Sequence, residues 1–205
     1  MLIKNIEFIK SSNSIVECPK DKLPEFAFLG RSNVGKSSLI NMIVNNKKLS
    51  KTSSKPGKTR LINHFKVDKK FYLVDLPGYG WAKASKADRK KWDHMVKEYV
   101  TKSNVIVVLF ILIDIRLKPQ DIDISFLNYY GKKNIPINLI FTKCDKINSQ
   151  NINKNIDTFF NELSKSWSEP PEYFVTSSIK KTGKNDITGH IESIYSSFKN
   201  YEKNL

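Results

Sequence analysis

The chain has 205 residues, 40% of them hydrophobic and 27% charged, which suits one globular domain with a full core. Two cysteines exclude a disulfide framework, and the longest apolar run, residues 105–113, is too short to cross a bilayer. The formal net charge of +15 favours a polyanionic partner, nucleic acid or an acidic membrane surface, although a generally lysine-rich composition also raises it.

In chain order, short β-rich runs alternate with segments of helical period, the pattern of a mostly parallel sheet with crossover helices. Residues 1–22 are polar, and 1–5 lack the apolar core of a secretory leader, so a cytoplasmic location is expected. Phe26, Ala27, Phe28 and Leu29 read as a buried strand, followed by a helix over 36–46 with Leu39, Ile40 and Ile43 facing inward. Residues 47–61, rich in Lys, Ser and Thr around Pro56-Gly57, are loop by composition. Residues 62–67 and 71–74 flank Asp68-Lys69-Lys70 as a hairpin. An amphipathic helix is predicted over 85–102, with Met95, Val96 and Tyr99 inward and Trp92 in the core. Residues 105–113 form a continuous apolar run, the mark of a central strand. Then come a helix over 120–130, a strand over 135–141, a helix over 151–167, a short strand over 172–175 and a closing helix over 186–201.

Gly30-Arg31-Ser32-Asn33-Val34-Gly35-Lys36-Ser37 fits G-x-x-x-x-G-K-[ST], between the first of these strands and its helix. The glycines let successive N–H groups curl around an anion, Lys36 reaches β- and γ-phosphates, and the Ser37 hydroxyl suits Mg²⁺. Asp75-Leu76-Pro77-Gly78 follows the second hairpin strand. There Asp75 holds Mg²⁺ through water and Gly78 offers its N–H to a γ-phosphate, although such tetrapeptides are also plain turns. Thr142-Lys143-Cys144-Asp145 follows the strand over 135–141. The Asp145 carboxylate accepts from guanine N1–H and N2–H₂, which adenine does not offer, and the Lys143 stem lies along the purine; the same residues also suit a helix cap. Thr176, Ser177 and Ser178 follow the last strand, where backbone amides read the guanine O6. All four segments fall at carboxyl ends of predicted strands, the ligand edge of open α/β sheets, and together they imply a GTP site. Thr59, with Thr52 as runner-up, is the expected switch-loop ligand for Mg²⁺ and γ-phosphate.

These motifs, with Lys55-Pro56-Gly57-Lys58-Thr59 and Asp75-Leu76-Pro77-Gly78-Tyr79-Gly80, closely resemble the bacterial EngB (YihA/YsxC) GTPases, Era-like in kind. The resemblance implies a three-layer α/β P-loop G domain over 23–205, a mostly parallel sheet with helices on both faces, and an N-terminal extension over 1–22 packing on it. It implies hydrolysis of GTP to GDP and phosphate, as a switch in assembly of the large ribosomal subunit, with a link to normal septation. Carried over by position, Gly30, Arg31, Ser32, Asn33, Val34, Gly35, Lys36 and Ser37 hold the phosphates. Gly57, Lys58, Thr59, Arg60 and Leu61, with Asp75, Leu76, Pro77 and Gly78, lie on the γ-phosphate side. Thr142, Lys143, Cys144 and Asp145, with Thr176, Ser177 and Ser178, hold the guanine. Mg²⁺ falls to Ser37, Thr59 and, through water, Asp75; Lys36, Thr59, Gly78 and Asn33 are the candidate catalytic residues. Thr142 stands where GTPases at large have Asn, which weakens one bond tying the loops. No Gln occurs between Asp75 and Asp88, so intrinsic hydrolysis is expected to be slow. Related GTPases with Asn at the Asn33 position use K⁺ beside the phosphates, and Asn33 is expected to help bind it here.

Lys47, Lys48, Lys51, Lys55, Lys58 and Arg60 crowd the first switch, and Lys83, Lys86, Arg89, Lys90 and Lys91 follow the second, near Trp81 and Trp92. Such clusters suit rRNA phosphates. The expected partner is the large-subunit precursor, bound by a monomer without stable membrane association. An rRNA-binding platform that keeps GTP as a structural ligand is the alternative.

Overall fold

A computed structural model describes residues 3–46, 49, 61–80 and 85–203. β2 (Glu25–Gly30) turns Phe26 and Phe28 to one face of a sheet and Ala27 and Leu29 to the other, as side chains along a strand alternate. All four are fully buried, so both faces must be covered. On the Phe26 face lie α1 (Lys36–Ile43) and α5 (Lys184–Lys203), through Leu39, Ile40, Ile43, Ile187 and Ile191. On the Ala27 face lie α2 (Lys86–Lys102), α3 (Asp121–Gly131) and α4 (Ser149–Leu163), through Met95, Tyr99, Leu127, Tyr130 and Phe159. This is the expected three-layer α/β fold.

The sheet also contains β1 (Ile6–Ser12), β3 (Ile62–Val67), β4 (Phe71–Asp75), β5 (Ile106–Asp114), β6 (Ile137–Thr142) and β7 (Tyr173–Val175). Their order is β1-β3-β4-β2-β5-β6-β7. β4, β2, β5, β6 and β7 run parallel, and β3 is antiparallel to both its neighbours. The carboxyl ends of the five parallel strands therefore share one edge, the edge at which such sheets bind ligands.

Several boundaries differ from expectation. β1 is a strand that the polar N-terminal composition does not announce; it pairs on one side only, and Phe8 stays half exposed. The hairpin turn anchors it: Asp68 and Lys69 take left-handed backbones, and the Asp68 carboxylate accepts from the Asn5 N–H at 2.7 Å. α1 stops at Ile43 rather than 46, with Asn45 left-handed just beyond it. α4 ends at Leu163, and Trp167 leaves the helix to donate its indole N–H to Asn128 Oδ1 at 2.8 Å. Trp92 is half-buried at the edge of the core rather than within it.

Candidate functional site

β2 ends at Gly30, where a β-carbon would lie 2.9 Å from Val34 Cγ1 and 3.0 Å from the Leu112 carbonyl, so the loop closes only over glycine. The chain then curls through Asn33 (φ 64°) and Gly35 (φ 108°) into α1. The second of these conformations favours glycine, and the first is one that Asn adopts more readily than most residues. Lys36, first in α1, is buried and pairs its ammonium with the Asp75 carboxylate at the end of β4. The Ser37 hydroxyl faces the other Asp75 oxygen at 3.5 Å.

Beyond Asp75 the chain stays against the phosphate loop. Leu76 N–H donates to Phe28 O at 3.1 Å, Tyr79 N–H to Gly30 O at 3.1 Å, and Ser32 N–H to Tyr79 O at 2.9 Å. A β-carbon on Gly78 would come within 3.0 Å of Gly30 O, so this close approach requires glycine as well. Leu76 and Pro77 are buried, and Gly78 is partly open.

Two hydrogen bonds join the third segment to the first. The Thr142 hydroxyl donates to Val34 O at 2.7 Å, so the tie expected to weaken when Thr replaces Asn is made by a single hydroxyl. Lys143, left-handed at φ 63°, donates to Asn33 O at 2.6 Å, and its stem passes over Gly35. Cys144 is a buried free thiol in the short 3-10 turn Cys144–Lys146, and its N–H donates to Thr176 O at 3.1 Å. Burial pushes that thiol up, against any redox role. Asp145 Oδ1 accepts from the Ser177 hydroxyl at 2.7 Å, while Ser177 Oγ accepts from Lys180 N–H at 3.0 Å. Thr176 is locked to Phe141 O at 3.0 Å, and Ser178 is partly exposed beside it.

Thus Gly30 through Ser37, Asp75 through Gly78, Thr142 through Asp145 and Thr176 through Ser178 lie along one sheet edge. Leu61 directly precedes β3. Gly57, Lys58, Thr59 and Arg60, with Thr52 and Trp81, lie outside the described residues, as do Lys47, Lys48, Lys51, Lys55 and Lys83. Lys86, Arg89, Lys90 and Lys91 are all exposed at the start of α2.

Sequence reasoning passed over Asp114, at the end of β5. It takes a bidentate pair from Arg116 at 2.8 and 2.7 Å and a third bond from Lys143 at 2.8 Å. Burial pushes its carboxyl up, and these cations together outweigh it, holding it below the usual range. The available signal was position: Asp114 ends a strand on the same edge as Asp75. Tyr79 and Asp123 were also missed; the Tyr79 hydroxyl donates to Asp123 Oδ1 at 2.8 Å in a buried setting. Among the described residues no cluster of three or more His, Cys, Asp or Glu forms a metal cage, and no helix is long and apolar enough to cross a membrane.

Residues 25–143 match the family described as "50S ribosome-binding GTPase". The probable GTP-binding protein EngB of Christiangramia forsetii is 50% identical over 197 residues, covering 96% of this chain and 100% of that protein. The probable GTP-binding protein EngB of Phocaeicola vulgatus is 47% identical, covering 97% of this chain and all of that protein. A crystal structure of a probable GTP-binding protein EngB superposes with TM-score 0.66 at 22% identity, over 84% of this chain and 99% of that one, and shows the shared fold.

Proposed function

Since the chain belongs to the EngB family of GTP-binding GTPases, we propose that it hydrolyses GTP to GDP and phosphate as a switch in assembly of the large ribosomal subunit. One observation supports this reading most. Thr142 and Lys143 bond directly to the phosphate loop, so a base held by Asp145 and phosphates held by Gly30 to Ser37 belong to one nucleotide.

Asp145 accepts from the guanine edge, with Ser177 fixing its carboxylate. The Thr176 and Ser177 amides already donate to Phe141 O at 2.7 Å and Thr182 O at 3.3 Å, so the expected reading of O6 falls to the Ser178 amide rather than to all three. Lys36 exchanges the Asp75 carboxylate for phosphate oxygens, which leaves Asp75 as an oxygen donor at the site. Ser37, Asp75 through water, and Thr59 of the switch loop suit Mg²⁺: they are hard oxygen donors, too few for a protein cage, and complete their set with phosphate and water. The ion supplies charge neutralisation on the triphosphate. Gly78 N–H meets the γ-phosphate, and with no Gln before Asp88 to orient water, turnover by the protein alone is slow. Asn33, exposed on the phosphate loop, is the residue that would help hold K⁺ there.

The exposed lysines and arginine opening α2, immediately after the second switch, suit rRNA phosphates, and the family description names the 50S particle. The protein then works as a cytoplasmic monomer, and a defect in septation follows from failed subunit assembly. Single-turnover hydrolysis with and without large subunits, in K⁺ and in Na⁺, tests the reading. Acceleration by subunits supports a switch; a rate unmoved by subunits supports the platform that keeps GTP as a structural ligand. A rate equal in the two salts removes the K⁺ role of Asn33.

A further inference from the structure

Asp123 sits in the first turn of α3, where a carboxylate ordinarily faces water and complements the helix dipole. Here it is only 3% exposed, beneath the segment that follows Gly78. The Tyr79 hydroxyl donates to it at 2.8 Å, and the Tyr79 ring stacks on Phe126 of α3, with centroids 4.1 Å apart. The Tyr79 backbone is at the same time bonded to Gly30 and Ser32. One residue thus links the phosphate loop to α3.

A second side chain approaches the same carboxyl. Burial pushes Asp123 up to about 6, against the Tyr79 hydrogen bond and the nearby Arg31 charge. Arg31 lies against Gly80, where a β-carbon would be 3.4 Å from its Nε. Its Nη1 is buried without a hydrogen-bond partner. A buried donor left unmade is costly. Asp123, one of whose oxygens accepts from Tyr79, lies on the same side, since Ile122 beside it meets the same Gly80 β-carbon at 3.9 Å.

We propose that Asp123 is the shared acceptor of a two-position latch, held by Tyr79 in the present arrangement and by Arg31 when Gly78 is drawn to a γ-phosphate. This rests on reading the site as a GTP switch, and adds how the two nucleotide states are told apart. Moving Gly78 moves Tyr79, the next residue, and breaks its bond to Asp123. The exchange to Arg31 keeps the buried carboxyl paired and fills the empty guanidinium donor. Neither arrangement leaves the Asp123 carboxyl bare; the present one leaves an Arg31 donor unmade, a cost the exchange relieves, and GTP needs only to favour the exchanged state. Tyr79, Asp123 and Arg31 are positioning residues that act through Gly78.

The test is the ratio of affinities for a non-hydrolysable GTP analogue and for GDP. Tyr79→Phe keeps the stacked ring, removes the hydroxyl and raises the analogue-to-GDP ratio by about tenfold, the scale of one hydrogen bond to a charged group. Arg31→Met, or Arg31→Lys should the first not fold, lowers the ratio. In an Asp123→Asn background both effects shrink. A purely structural role weakens both nucleotides together and leaves the ratio fixed. Ratios unchanged, or moved in the same direction by both variants, overturn the latch while GDP binding stays intact. Wild-type protein that binds neither nucleotide overturns the reading of the site itself, and the latch with it.

Discussion

Lys143 donates its ammonium to the carbonyl of Asn33 at 2.6 Å, and both residues hold left-handed backbones, at φ 63° and φ 64°. Neither is glycine, so each conformation needs support from its surroundings. The bond gives that support in both directions, and Asp114 holds the ammonium from the other side at 2.8 Å. The segment Thr142 to Asp145 and the loop Gly30 to Ser37 are therefore one mechanical unit. Lys143→Met keeps the stem and removes the charge. GDP affinity is expected to fall about tenfold, the scale of one charge-assisted bond, in a fluorescent-GDP titration. Unchanged affinity would show that the bridge is ornamental.

Base recognition is expected to depend more on Asp145 than on the group that orients it. Asp145→Ala removes an acceptor for two donors, and its loss in GDP affinity is expected to reach about a hundredfold or more. Ser177→Ala leaves the carboxylate but frees it from the 2.7 Å bond and strands the Lys180 N–H. A smaller loss of about tenfold is expected there, the scale of one hydrogen bond to a charged group, because the carboxylate itself stays in place. Titration of both variants with labelled GDP and ADP checks the ranking, and discrimination against ADP should collapse only in Asp145→Ala.

The legibility of this site followed the spacing of its parts. The phosphate loop, Asp75 to Gly78 and Thr142 to Asp145 were readable because each chemical role fixes residue types at short, constant separations after a strand. The parallel sheet was readable because buried strands such as β5 are continuous apolar runs, with no second face to keep polar. β1 was not, because an edge strand paired on one side carries little apolar pattern and is held by Asp68, sixty-odd residues away. Asp123 has the position of an ordinary first-turn carboxylate, but it is buried against Tyr79, 44 positions earlier. Long-range polar pairs of this kind leave no local period to read.

The raised Asp123 carboxyl makes a prediction about stability and pH. Its pKa of about 6 in the fold lies above the ordinary 3.8, so folding favours the protonated form. Its contribution is fullest below the ordinary value and is lost as pH rises through about 6. Asp123→Asn cannot titrate. Urea unfolding of both proteins from pH 7 to pH 4 should show wild type gaining on the variant by about 1 to 3 kcal/mol. A difference that is flat with pH, or of opposite sign, contradicts the burial of a titrating carboxyl at this place.

Co-sedimentation of the full chain with purified large subunits tests most directly the proposed nucleotide-controlled switch on the large ribosomal subunit. With the non-hydrolysable GTP analogue, the fraction pelleted should exceed that with GDP several-fold and should fall with added salt, as lysine–phosphate contacts require. Equal pelleting with the analogue, with GDP and without nucleotide would contradict it.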